Sequence, residues 1–305
     1  MQHGPGTTTP TPSEGRPLVV LGSLNMDLVI RTPHLPRPGE TVLGGGFATS
    51  QGGKGANQAI AAARAGGRVA MIGAIGTDAF GDDLAATLAD NGVETALLRR
   101  LDGPSGIAVI TVDDGAENTI VVASGANALL APLTDDDEQA IRGASFLVMQ
   151  LEVPLETVTA AATIAASAGV PVLLNPSPVR PLPPDLLAAV TVLVVNEGEA
   201  ATLGEESLSA VPHLVTTLGA AGASYRGPDG VVASALPPPV QPIDTTGAGD
   251  AFAGALAVAW AAGVDPQTSL RRACAAGALA TTRHGAGVSA PMRIDIDRVV
   301  TRSDR

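Results

Sequence analysis

The stretch DTTGAGDAFAGALAVAWAA, residues 244–262, joins a short polar turn with two glycines to a run that is apolar on every side. A helix that is apolar all round is normally buried. Gly263 follows the run directly, and glycine is the residue that most often ends a helix. We therefore predict a buried helix over Ala248–Ala262, with the polar turn at its N-terminus.

Outside this helix, short apolar runs alternate with alanine-rich helical patterns. The runs are continuous stretches of apolar residues, as in strands that are covered on both faces. The alternation predicts a mostly parallel sheet with helices on both sides, a three-layer α/β/α sandwich. The predicted strands are Leu18–Leu21, Arg68–Ile72, Phe146–Met149, Pro171–Leu174, Thr191–Val195 and Leu214–Thr217, and the other predicted helices are Ala56–Ala65, Asp82–Asn91, Leu155–Ala168 and Pro184–Ala189.

Two segments interrupt the alternation with β-like sequence. Val29–Phe47 contains three prolines followed by a run of glycines. Ile107–Val122 has two runs rich in β-branched residues around a turn at Asp113–Gly115, which is the pattern of a hairpin. Both segments fit edge strands of the main sheet, and both fit a small separate sheet over one end of it. We predict the separate sheet, a β-sheet lid.

The chain has 305 residues and a formal net charge of −12. We predict a disordered tail over residues 1–17 and one domain over residues 18–305. The acidic charge argues against nucleic acids or anionic membranes as partners, because both require a basic surface. No apolar run reaches the ~18 residues of a membrane span, and the first residues lack the apolar region of a secretory signal, so we expect a cytoplasmic protein. The single cysteine, Cys274, excludes an intramolecular disulfide.

Polar residues follow five of the predicted strands at the same end. Ligands of open α/β sheets bind beyond the carboxyl ends of the strands. One such residue alone is usually a turn or a helix cap, but five strands that share the feature predict a polar crevice. The residues are, strand by strand, Ser23, Asn25 and Asp27; Glu152; Asn175; Asn196 and Glu199; and Gly219.

Two glycine-containing segments open helices. The first, GGKGAN at residues 52–57, is not a Walker A loop, because glycine rather than Ser or Thr follows Lys54. The second, at residues 244–250, lacks the third glycine of a dinucleotide fingerprint, since Phe252 occupies that position. Its backbone N–H groups and helix dipole still suit an anion. Asp250 is then either a cap that complements the dipole or a base that takes a proton from an attacking hydroxyl in phosphoryl transfer.

Lys54 is the single lysine among 18 basic residues. It either persists by chance in a chain that favours arginine, or occupies a position that needs a flexible ammonium group. A planar guanidinium replaces an ammonium poorly. We favour the second interpretation, because Lys54 lies inside the first glycine segment.

The chain resembles the PfkB-type carbohydrate kinases over essentially Leu18 to Pro291. The segments GGKGANQA at 52–59 and DTTGAGDAFAGAL at 244–256 are similar to the two signatures of that family, and their joint occurrence is specific. Five further stretches follow in the family's order: GSLNMDLV at 22–29, LPRPGET at 35–41, MQLEVP at 149–154, LNPSP at 174–178 and TLGAAG at 217–222. The segment between Glu199 and Thr217 departs from the family, since it is about one helix shorter than expected.

The resemblance implies the roles of the acceptor site and the reacting groups. Asp250 is the expected general base. Gly247, Ala248 and Gly249 are the expected anion hole for the transferring phosphoryl group. The residues expected to hold the sugar, together with Asp250, are Asn25, Asp27, Gly53, Lys54, Asn57 and Glu152.

The resemblance also implies a site for ATP with Mg²⁺ and a site for a monovalent cation, K⁺. Cys274 falls where the family lines its adenine pocket, and it equally fits a small apolar core position. The remaining ATP residues are Asn196, Glu199, Thr217, Leu218, Gly219, Ala220, Ala221 and Gly222, joined by Gly249 and Asp250. The K⁺ positions are Asp244, Thr246, Ala280, Arg283, Gly285 and Ser289.

From this resemblance we expect an ATP-dependent kinase that phosphorylates the 5-hydroxyl of ribose and forms a homodimer through its lid. A nucleoside or another sugar remains an alternative acceptor. A nucleoside base needs an apolar or aromatic surface, and only Phe47 of the few aromatic residues lies in a predicted lid segment. A sugar-binding protein without catalysis and a nicotinamide-dependent oxidoreductase are more distant alternatives. The incomplete dinucleotide fingerprint argues against the latter.

Overall fold

The computed structural model describes residues 15–115 and 117–302. Of the predicted tail, residues 1–14 lie outside the described residues, as do residues 303–305 at the other end. Arg16 Nε donates to the Gly143 carbonyl at 2.9 Å, and the Ser145 N–H donates to the Pro17 carbonyl at 2.8 Å. Arg68 Nη1 also donates to the Gly15 carbonyl at 3.1 Å, so residues 15–17 of the predicted tail all contact the domain.

Fourteen strands and nine helices are described. The strands are β1 (Leu18–Leu21), β2 (Asn25–Thr32), β3 (Gly46–Gly52), β4 (Val69–Ile75), β5 (Val93–Glu94), β6 (Leu98–Arg100), β7 (Gly106–Asp113), β8 (Asn118–Ala123), β9 (Phe146–Met149), β10 (Val172–Leu174), β11 (Val192–Asn196), β12 (His213–Thr217), β13 (Ala223–Arg226) and β14 (Val232–Ala235). The helices are α1 (Lys54–Arg64), α2 (Ala79–Asp90), α3 (Asp135–Gly143), α4 (Leu155–Ser167), α5 (Pro184–Ala189), α6 (Glu197–Ser209), α7 (Ala248–Ala261), α8 (Pro266–Ala280) and α9 (Arg293–Arg302).

The main sheet has the strand order β14-β13-β12-β11-β10-β9-β1-β4-β5, with β6 paired to β4. It is parallel from β12 to β5, and β13 and β14 add an antiparallel edge. All six predicted strands are present. The two edge strands were not predicted from the sequence, because neither forms a continuous apolar run: Ser224 and Arg226 interrupt β13, and Ser234 interrupts β14.

Helices cover both faces of this sheet, as predicted. Alternate residues of β1 point to opposite faces, so Leu18 and Val20 join one apolar cluster while Val19 and Leu21 join the other. Helices α1, α2, α7 and α8 close the first cluster, and α3 to α6 close the second. Helix α7 packs against both α1 and α8, and most of its residues are buried. The three-layer sandwich and its buried helix are thereby confirmed.

A separate four-stranded sheet forms the lid, in the order β3-β2-β7-β8. The alternative of edge strands on the main sheet is excluded for these segments. The first lid segment extends beyond the predicted bounds at both ends, since β3 runs to Gly52 rather than ending at Phe47. Strand β2 begins at Asn25 rather than near Val29, so Asn25 and Asp27 belong to the lid itself. Closing or opening the lid would therefore move these two side chains.

The short segment between Glu199 and Thr217 is occupied by α6 and β12, and α6 is interrupted at Gly204, where φ is 76°. Within the described part of the chain, no helix has both the length and the apolar character that a membrane span needs.

Candidate active site

The predicted polar crevice exists at the carboxyl ends of the parallel strands. Ser23, which follows β1, donates its hydroxyl to Glu152 Oε2 at 2.5 Å, and Glu152 follows β9. The backbone N–H of Lys54, the first residue of α1, donates to the same carboxylate oxygen at 3.0 Å. Glu152 therefore ties the start of α1 to the ends of two strands.

Glycines let α1 begin against the turn that follows β1. Gly53 has φ of +88°, and a Cβ there would lie 2.7 Å from the Asn25 nitrogen. A Cβ on Gly55 would lie 2.5 Å from the nitrogen of Ser23. Both positions thus exclude larger residues, and only glycine adopts such a φ without strain. This close approach explains the pattern GGKG physically.

Asp250 lies in the first turn of α7, at the centre of the crevice, and its residue is 8% exposed. Asn57 donates from Nδ2 to Asp250 Oδ2 at 3.0 Å, and Gln58 donates from Nε2 to Oδ1 at 2.9 Å. Burial raises the pKa of this carboxyl above its ordinary value. The charge of Lys54 and the two amide donors oppose that rise. The group is therefore a buried carboxylate with few partners and a raised affinity for a proton, as a general base requires.

Asp27 is a second carboxyl in the same crevice, partly buried on the lid strand β2. Burial raises its pKa from 3.8 to about 7, and the negative charges of Glu152 and Asp250 add to the rise. Its carboxylate lies against Gly52, where a Cβ would be 2.3 Å from Oδ2. The neighbouring Asn25 is held by Asn127, which donates from Nδ2 to Asn25 Oδ1 at 2.9 Å. Sequence reasoning missed Asn127, which lies outside every motif.

We expect Asp27→Asn to stabilise the free protein at pH 8 and to weaken sugar binding. Because the folded-state pKa of Asp27 is raised to about 7, its contribution to stability is present at low pH and is lost as the pH rises through about 7. At pH 8 the free energy of unfolding of the variant should therefore exceed that of the wild type by on the order of 2–4 kcal/mol, and the difference should vanish below pH ~4. Urea unfolding at several pH values measures this, and a constant difference would contradict the assignment.

The turn before α7 has the shape of an anion site. Gly247 has φ of +74°, and a Cβ there would lie 2.8 Å from Ala286 Cα. The first amides of a helix lack partners within it. Two of them are engaged, since Ala248 N–H donates to the Thr245 carbonyl at 3.2 Å and Ala251 N–H to that of Gly247 at 2.8 Å. The amides of Gly249 and Asp250 are the ones left for an anion.

A pocket of about 550 Å³ opens beside this turn. Six predicted ATP residues line it, namely Thr217, Gly219, Ala220, Gly222, Gly249 and Cys274, while Leu218 and Ala221 do not, and Asn196, Glu199 and Asp250 line a second pocket instead. The Cys274 thiol lies 3.5 Å from the Ala235 carbonyl, and burial raises the pKa of that thiol to about 12. Cys274 is thus both a pocket wall and a buried, unreactive core residue. Sequence reasoning missed the opposite wall, made by Pro237, Pro238, Pro239, Val240 and Pro242.

A smaller polar pocket of about 180 Å³ has Lys54, Glu199, Gly249 and Asp250 in its lining. Gly249 also lines the larger pocket, and Asp250 reaches towards the carboxylates of the crevice. Asn196 and Glu199 form a capping box on α6, in which the Glu199 N–H donates to Asn196 Oδ1 at 2.8 Å and the Asn196 N–H to Glu199 Oε2 at 2.9 Å. Their side chains are held in place by the helix they cap.

The predicted cation positions lie on two loops that Asp244 joins. Its Oδ1 accepts the Thr246 N–H at 2.9 Å, and its Oδ2 accepts the Gly285 N–H at 3.0 Å. Burial by itself would raise the pKa of this carboxyl. The two N–H donors and His284 lower it by more, so the pKa lies below its usual value. The other positions belong to the second loop, where the Arg283 N–H donates to the Ala280 carbonyl at 3.2 Å and Ser289 donates its hydroxyl to the Ala286 carbonyl at 2.7 Å. Carboxylate and carbonyl oxygens are ligands for hard cations, so the donor set fits.

Comparison with known proteins places this architecture in a family. Residues 16–293 match the model of the pfkB family carbohydrate kinases. The chain is 38% identical to a ribokinase of Schizosaccharomyces pombe, over 92% of this chain and 96% of that protein, and 39% identical to a ribokinase of Bacillus subtilis, over 94% and 100%. The solved structure of Arabidopsis thaliana ribokinase complexed with ribose and ATP superposes with a TM-score of 0.88 at 33% identity, covering 93% of this chain and 98% of that one. This chain therefore belongs to the pfkB family of carbohydrate kinases.

Proposed function

We propose that this protein is an ATP-dependent ribokinase, which transfers the γ-phosphoryl group of ATP to the 5-hydroxyl of D-ribose and releases D-ribose 5-phosphate and ADP. The observation that carries the proposal is the position of Asp250. It is a buried carboxylate at the start of α7, between a crevice lined by Asp27 and Glu152 and a pocket of nucleotide size. The names of the relatives and the complex of the Arabidopsis protein support the choice of substrates.

In the proposed reaction, Asp250 accepts the proton of the 5-hydroxyl as its oxygen attacks the γ-phosphorus. The new P–O bond forms as the bond to the β-phosphate bridging oxygen breaks, and ADP leaves. The Gly247–Gly249 turn faces the charge that develops on the transferring group. Carboxylate, amide and ammonium groups suit the hydroxyls of a sugar. The residues proposed to hold it are Asn25, Asp27, Gly53, Lys54, Asn57 and Glu152.

The larger pocket would take the nucleotide. Its walls carry few charged or polar side chains, which suits the flat apolar faces of adenine. Mg²⁺ is usually held through substrate phosphates and a small number of protein carboxylates. Glu199 and Asn196, in the polar pocket, are the residues proposed to organise Mg²⁺ and the phosphates there. Magnesium would neutralise charge on the phosphates when it is bound.

Asp244, Thr246, Ala280, Arg283, Gly285 and Ser289 are proposed to hold K⁺ beside the anion hole. The loop before α7 carries both Asp244 and Gly247, so a cation in it would steady the turn that binds the phosphoryl group. We expect activity to fall at least several-fold in tetramethylammonium buffer and to return on addition of KCl, measured at constant ionic strength. Equal rates in the two buffers would remove K⁺ from the proposal.

We also propose that the lid pairs with the lid of a second copy. Strand β8 is exposed over its whole length, and the lid presents Phe47, Ile120, Val121 and Val122 to solvent, Phe47 being 67% and Val121 69% exposed. Ile120, Val121 and Val122 are consecutive in β8, at the opposite edge of the lid sheet from Phe47 on β3, and exposed apolar residues grouped in this way mark contact surfaces. The expected result is a dimer in analytical ultracentrifugation that Val121→Glu together with Phe47→Glu converts to a monomer. A wild-type monomer at the same concentration would contradict it.

The test of function is ADP release from MgATP with D-ribose in potassium buffer, run beside deoxyribose, other pentoses and nucleosides. Turnover highest on ribose supports the proposal. Higher turnover on a nucleoside would replace it with a nucleoside kinase of the same family. The single tyrosine and the single tryptophan, Tyr225 and Trp260, pack against His213, stacked and edge-on respectively, and neither lines the polar pocket beside Asp250. A folded protein that binds ribose without turnover would be a binding protein instead.

A further inference from the structure

We infer that Gln58 is the positioning residue of Asp250, and that Gln150 and Asn175 hold the Gln58 amide in the orientation this requires. The inference deepens the proposed function, since it assumes Asp250 as the general base. It concerns a side chain that the sequence motif contains but that none of the roles above uses.

Helix crossing places Gln58 against Asp250. Helices α1 and α7 approach closely at Gly254, where a Cβ would lie 2.8 Å from the Gln58 carbonyl oxygen and 2.8 Å from Ala61 Cβ. Gly254 lies one turn beyond Asp250, so the same crossing brings the Gln58 side chain to the carboxylate. Gln58 is fully buried, at 0% exposure. Its side chain therefore has no water to exchange partners with.

The hydrogen bonds of Gln58 fix which end of its amide faces the base. Nε2 donates to Asp250 Oδ1 at 2.9 Å and to Asn175 Oδ1 at 3.1 Å, which uses both of its hydrogens. Oε1 accepts from Gln150 Nε2 at 2.7 Å. Asn175 is itself oriented by donating from Nδ2 to the Val194 carbonyl at 3.0 Å. A rotated Gln58 amide would put an oxygen against the carboxylate and lose all three bonds.

Gln150 bears the clearest sign of this role. It is fully buried, and its Oε1 has no hydrogen-bond partner among the described residues. An unpaired buried oxygen is unfavourable, and an apolar side chain would avoid it. An apolar side chain at position 150 would lose only one hydrogen bond, the one that the Gln150 N–H donates to Gln58. That hydrogen bond is therefore what the amide at this position contributes. Two amides thus form one directed chain, in which Gln150 donates to Gln58 and Gln58 donates to Asp250, while Asn175 accepts the second hydrogen of the Gln58 amide.

The consequence for the base is both orientation and charge. Asp250 faces Lys54 and Asn57 from α1, Glu152 from the segment after β9, and Asp27 from the lid, where its charge acts on the Asp27 carboxyl. Burial and the charge of Glu152 favour a protonated Asp250, whereas Lys54, Gln58 and Asn57 favour the carboxylate. Removing the Gln58 donor shifts this balance towards the protonated, inactive form and frees the carboxylate to rotate.

The test uses Gln58→Leu and Gln150→Met in the full-length enzyme, with Thr157→Val as matched control. Thr157 is also buried and donates to the Leu130 carbonyl at 2.6 Å on the far side of the sheet, so its loss lowers stability without touching Asp250. Two quantities are measured. One is the pKa of the Asp250 carboxyl in the free enzyme by ¹³C NMR, and the other is the pH profile of kcat with ribose and MgATP.

We expect Gln58→Leu to raise the pKa of Asp250 by about one unit or more, to move the acid limb of kcat upward in step, and to lower kcat at pH 7 about 10- to 100-fold. Gln150→Met should act in the same direction with a smaller shift, and Thr157→Val should shift nothing. An unchanged Asp250 pKa in Gln58→Leu overturns the inference. If Gln58→Leu does not fold, the Asp250 pKa in Gln150→Met decides, and no shift overturns it. Wild-type protein without turnover on ribose would instead overturn the proposed function, while the NMR measurement still decides the role of Gln58.

Discussion

Asp250→Asn is expected to lower kcat about 10²- to 10⁴-fold, the range for loss of a general base, while ribose affinity changes by no more than a few-fold. The asparagine keeps the size of the side chain but does not accept the hydroxyl proton. Ribose binding survives because Asp27, Glu152 and Lys54 do not depend on Asp250 for their placement. Single-turnover rates and ribose titration by calorimetry measure the two quantities separately.

Asp265→Asn is the matched control for that variant. Asp265 is also an acidic residue at a helix start, where it caps α8 by accepting the Thr268 N–H at 3.0 Å. If Asp250 were only a cap that complements a helix dipole, both variants would show small losses of stability and little change in rate. Near-normal turnover in Asp250→Asn would refute its assignment as the base.

A second large loss of activity is expected when either glycine at the start of α7, Gly247 or Gly249, is replaced by alanine. The two variants distinguish a loss of stability from a direct effect on the reaction. Gly249→Ala adds a methyl group that meets no protein atom within 4 Å, at a helical position. The variant should therefore be as stable as the wild type or more stable by about 0.4–1 kcal/mol. The added methyl group projects from a residue that lines both pockets, where the phosphates would pass. The alanine keeps its N–H, but its methyl group would hold the phosphoryl oxygens away from the turn, so we expect kcat to fall about 10²-fold, as when one donor of an anion hole is lost.

Gly247→Ala should lose activity by another route. Its φ of +74° disfavours a side chain, and the new methyl group would lie 2.8 Å from the Ala286 backbone, so the variant is expected to lose about 1–3 kcal/mol of stability as well as turnover. Thermal melting and kcat are measured for both variants. Full activity in Gly249→Ala would show that the phosphoryl group does not approach this turn.

Parallel strands, helices and the two glycine segments were predictable because local sequence determines them. Continuous apolar runs indicate strands covered on both faces, and β1 and β9 follow that pattern residue by residue. The GGKG and GAGD segments could be placed at helix starts because glycine is required where backbones approach or φ is positive. The polar crevice followed from one topological rule, that ligands bind beyond the carboxyl ends of the strands.

The contacts between distant segments could not be predicted in the same way. Asn127 bonds to Asn25 across about a hundred residues of chain, and no local pattern marks it. Pro237–Pro239 belong to no predicted element or motif, yet they form a wall of the larger pocket. The lid boundary at Asn25 was also missed, because the pairing of β2 with β3 and β7, and not its own sequence, extends the strand to that residue.

The sequence by itself determined the fold class, the family and the residue types of the active site, since each depends on short-range pattern and on chemically specific side chains. Only the tertiary structure decided the protonation state and the orientation of those side chains. The raised pKa values of Asp27 and Asp250 arise first from burial, with the charge of Glu152 adding to both and that of Asp250 adding to the rise at Asp27, and these effects exist only once the lid, α1 and α7 have converged. The amide chain from Gln150 to Asp250 likewise joins the segment after β9 to α1 and α7, and its direction follows from which buried oxygen meets which buried N–H group.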